Sequence, residues 1–205
     1  MLIGATSNMT VVPASSPFKT ISELPAFARK GLGKLSFWSA GTGTSQHTGG
    51  ELLKQMAGTF ILHIPYRGSG AAVHDVIAGQ VNCGSDTRVS TSAQIKSGRT
   101  KALAVTAGKR VKSFETIPTL AESGVPGYDV VSWQAVHAPA GTASETVLRL
   151  QTEIAKVLAQ PDIRARLDAM GLAPSGIAPD RLCAFETQER AKWANVVKDG
   201  AIKVN

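Results

Sequence analysis

Aromatic side chains are scarce. Phe, Trp and Tyr make up 5% of the 205 residues, so the core has to be built mainly from Val, Leu, Ile and Ala. Two cysteines, Cys83 and Cys183, are too few for a disulfide framework or a cysteine-bound metal. Both are expected as packed small side chains, Cys83 in a strand and Cys183 in a helix. No apolar run is long enough to span a bilayer. Met1 to Thr6 lack the basic start and long apolar centre of a signal peptide. Catalytic signatures are missing too. His47, His63, His74 and His137 form no His-Glu-x-x-His pair or other metal spacing, and no Gly-x-Ser-x-Gly elbow occurs. The expectation is a protein that binds rather than catalyses, with no cofactor and no metal.

What is present is ordinary for a soluble globular chain: 43% apolar and 18% charged residues. The formal charge is +7. The densest basic stretch holds Arg99, Lys101, Lys109, Arg110 and Lys112, without interleaved aromatics that could stack on bases. It reads as a solvated cationic surface, and no nucleic-acid partner is expected.

Short apolar runs alternate with helical stretches, which predicts an α/β fold with a mainly parallel sheet. Strands are expected at Met9–Pro13, Leu35–Ser39, Thr59–Ile64, Val81–Ser85 and Ala102–Thr106. Helices are expected at about Lys19–Arg29, from the loop after Ser45 to Gly58, at Ala71–Ala78 and at about Val89–Ser97. Tyr128 to Ala138 reads as a long extended crossover. Three helices follow: one opening on a capping box at Thr142–Glu145, one on Pro161 with Ile163, Leu167 and Met170 buried, and one on Pro179 that ends near Gly200. The expected division is 1–131 and 132–205.

Loops at the carboxyl ends of such strands are where α/β folds hold ligands. The strongest one runs from Ser39 to His47, with two glycines and three hydroxyl residues between a strand and a helix. Gly41 and Gly43 let backbone approach a ligand, and the helix start offers N–H groups and partial positive charge to an anion. An ordinary helix cap at Thr44 or Ser45 explains the same residues equally well. It is neither a Walker loop nor a dinucleotide fingerprint, since Gln46 stands where the third glycine would be. A second loop puts Tyr66 and Arg67 after a strand, where Arg67 could pair with a carboxylate or simply face solvent. Asp86 ends a third strand and could accept a hydrogen bond or cap the next helix. An α/β enzyme using the 41–47 loop as an oxyanion site is the competing reading.

The run Lys34 to His47 resembles the Bug family, the substrate-binding proteins of tripartite tricarboxylate transporters. So do, in order, Gly50 to Lys54, His63 to Gly68, Ala78 to Val81, Ala102 to Thr106, Pro118 to Gly124, Ala138 to Thr142, and Lys192-Trp193. The resemblance covers nearly the whole chain. It implies a two-lobed, periplasmic-binding-protein-like Venus flytrap (type II). The implied ligand is a small carboxylate, an organic acid or acidic amino acid, delivered in the periplasm to a membrane permease. Carried over, Ser39, Gly41, Thr42, Gly43, Thr44 and His47 would line one wall, with Tyr66, Arg67, Asp86 and the crossover residue Trp133 as further candidates. Against the family pattern the chain starts inside the sequence, so one complete lobe (1–131) and the C-terminal part of an incomplete lobe (132–205) are expected. Exposed apolar surface around the last three helices, and self-association through it, would follow. Asn82 replaces a usual aspartate, and Cys83-Gly84 replaces bulkier residues. Both departures bear on ligand preference.

Overall fold

The computed structural model describes residues 1–31, 33–111 and 114–203. Lys112 of the basic stretch lies outside the described residues. Contacts divide the chain into two compact units: Ser7–Val131 with Trp193–Asn205, and Met1–Thr6 with Ser132–Lys192. This differs from the two continuous segments expected, because two long elements pass from one unit to the other. Strand β1 (Leu2–Pro13) begins in the smaller unit and ends in the larger. Helix α7 (Pro179–Asp199) does the same, crossing after Lys192.

The larger unit continues with α1 (Glu23–Arg29), β2 (Ser36–Ser39), α2 (Ser45–Ala57), β3 (Leu62–Pro65), α3 (Ser69–Ile77), β4 (Cys83–Thr87), α4 (Arg88–Lys96) and β5 (Thr100–Val105). The strand order is β3-β2-β4-β1-β5. β2 runs parallel to β3 and β4, whereas β1 is antiparallel to both β4 and β5. The sheet is therefore mixed rather than mainly parallel. Strands β2 to β5 are each reached through a crossover helix and run one way. β1 arrives from the start of the chain and is inserted between β4 and β5 against their direction.

Alternation along β2 builds both layers of the core. Phe37 points into the larger cluster with Leu53, Ile61, Leu103, Tyr128 and Val130, and Trp38 into a second one with Ala72, Val76 and Val81. Two glycines make room for these rings. A Cβ on Gly50 would meet Phe37, and one on Gly84 would meet the indole of Trp38. Near the chain end, Trp193 packs on the first cluster and Val196 is buried.

The smaller unit contains β6 (Val131–Ala135) from Ser132 on, α5 (Ser144–Ala159), α6 (Pro161–Ala169), β7 (Ala173–Ile177) and the first part of α7. The start of β1 pairs antiparallel with β7, and Met1 exchanges two backbone hydrogen bonds with Val136. β7 was not expected, and the extended segment from Tyr128 is shorter as a strand than it reads. The capping box is not formed: Ala143 occupies the cap and Thr142 donates to the Pro139 carbonyl at 2.8 Å. α6 buries none of its residues, and Met170 is 60% exposed. Leu148 and Leu150 of α5 are 56% and 50% exposed, so the expected apolar surface is present. Cys183 is exposed rather than packed, while Cys83 is buried as expected. No helix among the described residues is long and apolar enough to cross a membrane.

Candidate functional site

The loop after β2 folds around its own polar groups. Ser39, fully buried, donates from Oγ to the Gly41 carbonyl or shares its proton with His63 Nε2 at 2.7 Å, and accepts the Gly41 N–H at 3.2 Å. Gly41 and Gly43 have φ of 144° and 82°, a backbone that a side chain would strain. Thr44 is the N-cap of α2. Its hydroxyl donates to the Gly41 carbonyl at 2.7 Å and accepts the His47 N–H at 3.5 Å. Both sequence readings therefore apply to the same loop, a capped helix whose glycines bend the chain. Four of its N–H groups, those of Gly41, Gly43, Thr44 and His47, are used internally. Thr42 is exposed, and neither its N–H nor its hydroxyl has a partner among the described residues.

His47 and His63 lie beneath this loop. Their rings stack at 3.7 Å and 10°, and Phe37 stacks on His63 at 4.9 Å. His47 Nδ1 accepts the Gly43 N–H at 3.1 Å, and Nε2 is 3.8 Å from Glu51 Oε1. Glu51 is itself held by Lys54 at 2.8 Å. Burial holds the His47 ring below the ordinary histidine value, against the opposite pull of Glu51, and Lys54 lowers it further. For His63, burial first and then the charges of His47 and Lys54 bring it down to about 4. Both rings are neutral near pH 7.

The second loop runs beside the first. Tyr66 N–H donates to the Ser39 carbonyl at 3.0 Å and Gly68 N–H to the Ala40 carbonyl at 3.1 Å. Arg67 is exposed, with no hydrogen bond or ion pair among the described residues. Tyr66 is committed elsewhere. Its hydroxyl donates to Asp75 at 2.7 Å, and burial together with that carboxylate pushes it up to about 12. Asp86 is 1% exposed. Its Oδ1 accepts Gln46 Nε2 at 3.1 Å and the Thr87 N–H at 2.7 Å, while Oδ2 is buried without a partner among the described residues. Trp133 belongs to the smaller unit, where its N–H donates to Glu189 and its ring packs edge-on against Phe185.

So β2, β3 and β4 bring Ser39 to His47, Arg67 and Asp86 to one end of the larger sheet. Two participants escape sequence reasoning. Gln46 reads only as a broken fingerprint, and His63 only as a lone histidine. The parallel register that sets Phe37 beside His63 is what places that ring, and spacing along the chain does not reveal it. Asn82 lies at the other end of β2, where its Oδ1 accepts the Ser36 N–H at 2.8 Å. It has no role at the loop. Among the described residues no cluster of His, Cys, Asp or Glu could hold a metal ion. A cleft of about 640 Å³ opens at the far half of α2, between Arg29, Lys54, Phe60 and Asp199. Two of the charges in its walls, Lys54 and Glu51, pair with each other, and Arg29 donates to the Ala57 carbonyl.

The family model described as "Tripartite tricarboxylate transporter family receptor" matches residues 1–202. A UPF0065 protein from the tcbD-tcbE intergenic region of Pseudomonas sp. (strain P51) is 39% identical over 206 residues, covering 100% of this chain and 61% of that protein. Protein BugT of Bordetella pertussis is 29% identical, covering 99% and 62%. Among solved structures, an R. palustris protein with adipate superposes with a TM-score of 0.88 at 32% identity, covering 98% of this chain and 68% of that one. The periplasmic binding protein BugD gives 0.84 at 31% identity, with the same coverage. The chain thus spans under two thirds of the length of these curated relatives. A family match from the first residue to almost the last, joined to the fold of periplasmic binding proteins, means that the chain belongs to the receptor family of tripartite tricarboxylate transporters.

Proposed function

We propose that this chain captures a small carboxylate, an organic acid or acidic amino acid, in the periplasm and presents it to the membrane permease of a tripartite tricarboxylate transporter. One observation carries the reading. Two loops laced by backbone hydrogen bonds present Thr42 and Arg67, both without partners among the described residues, beside the N-terminus of α2. Unpaired donors and a helix start together suit an anion. The related proteins solved with adipate and with malate support a carboxylate rather than a phosphate. In this reading the larger unit is the ligand-binding lobe and the smaller unit is part of the other lobe. Tyr66 is a spacer fixed by Asp75, and Trp133 is the weakest candidate. The one serine–histidine contact at the loop among the described residues, Ser39 Oγ with His63 Nε2 at 2.7 Å, has its hydroxyl fully buried and held by Gly41, out of reach of a substrate, which favours binding over the oxyanion-site alternative.

Calorimetry against adipate, malate and acidic amino acids tests this. Binding of at least one acid is expected, with Arg67→Ala weakening it about tenfold to a hundredfold, the range of a charge-assisted hydrogen bond. If no carboxylate gives heat or a thermal shift, the reading fails.

A further inference from the structure

The hydrogen bond from Gly43 fixes the state of His47. Nδ1 accepts that N–H at 3.1 Å, so it bears no proton, and the ring proton sits on Nε2, facing Glu51 at 3.8 Å. A proton added at Nδ1 would set donor against donor, and Gly43 would have to move away. The next ring reinforces this. His63 stacks on His47 at 3.7 Å and is tied through Nε2 to the Ser39 hydroxyl that accepts the Gly41 N–H. Both ends of the 41–43 turn therefore hang on two neutral imidazoles.

We propose that the stacked pair is a proton-operated latch on the 41–44 loop: with His47 neutral the loop is tied down at Gly43, and with His47 protonated the loop is released. It rests on the reading of this loop as a wall of the carboxylate site, and it makes ligand retention fall with acid. Burial keeps the latch shut near neutrality. The two rings repel a second charge, so the latch takes one proton. Glu51 favours His47 as its seat, being the carboxylate beside it.

The surrounding charges are few. Lys54 on α2 neutralises Glu51 at 2.8 Å. Asp199 at the end of α7 and Arg29 of α1 line the cleft on the far side of Glu51 and Lys54. Tyr128 donates to the Gly49 carbonyl at 2.9 Å, and Asp86 is engaged by Gln46. Glu51 is the only carboxylate among these with an ion-pair contact to His47.

The test is nuclear magnetic resonance on the unmodified, ligand-free chain, titrated from about pH 7.5 to about pH 4.5, a range that brackets the ordinary histidine value. The expected result is an Nε2–H tautomer for His47 at the upper end, with the Gly43 amide shift and exchange rate following the titration of that ring. An Nδ1–H tautomer, a Gly43 amide indifferent to the ring, or a ring that stays neutral throughout would each overturn the latch. A second arm uses adipate and calorimetry with His47→Asn, whose side-chain oxygen replaces Nδ1 and does not titrate. The unmodified chain should lose about tenfold in affinity between about pH 7 and about pH 5 relative to the variant, which cancels the titration of adipate itself. Equal pH dependence in both overturns the proposal. If adipate binds neither at any pH, the carboxylate reading fails for this acid while the resonance titration still decides the latch.

Discussion

A single hydrogen atom decides the fit at Gly84. The Trp38 indole fills the space where a β-carbon would stand, and Trp38 is fully buried at the centre of the second cluster. Gly84→Ala should therefore force the ring out of its rotamer and cost about 1–3 kcal/mol. Chemical denaturation followed by tryptophan fluorescence checks it, and an unchanged midpoint would mean that the indole has room to shift. In the sequence, Cys83-Gly84 stands out only as a departure from bulkier residues, and so does Asn82. Their partners explain them. Gly84 answers to Trp38, and Asn82 ties down the start of β2 through Ser36. Both act at the strand itself, one through packing and one through a backbone tie. A residue type can flag a position, but its reason sits on the neighbouring strand.

At the scale of elements, α2 and the turn before it were largely legible. Glycines and hydroxyls ahead of an apolar periodicity mark a capped start, and Gly58 closes the helix in the left-handed region at φ 56°. Thr44→Ala removes a donor to Gly41 and an acceptor for His47, and should lower stability by about 1 kcal/mol. Thr44→Ser should retain most of it, and thermal unfolding of the two variants distinguishes the hydroxyl from the methyl. β7 was not legible. Ala173-Pro174-Ser175-Gly176-Ile177 has the composition of a loop, with Gly176 at φ 72°. It becomes a strand because the start of β1 offers it a partner, and pairing across the whole chain leaves no local mark. The Thr142 box fails in the reverse way, since a local pattern was present but the Pro139 carbonyl claimed the hydroxyl.

For the whole molecule, the balance of buried and exposed apolar surface differs between the units. The larger unit closes a core on both faces of its sheet. In the smaller unit, α5 buries Leu158 and leaves Leu148, Leu150 and Val157 more than two fifths exposed. Amides of α5 and α6 should exchange with solvent faster than those of α2 and β2, because exchange protection follows local burial. Sedimentation should show an apparent mass that rises with concentration as the apolar faces meet. Uniform protection together with a constant monomer mass would contradict both expectations.

The chain passes between the two units three times, after Thr6, Val131 and Lys192. Neither unit is a contiguous stretch of gene. A recombination event that exchanged residues 7–131 alone would import a foreign core and leave behind the native Trp193 and Val196 that pack on it. An exchange that keeps this core intact therefore has to carry Trp193 and Val196 along with residues 7–131.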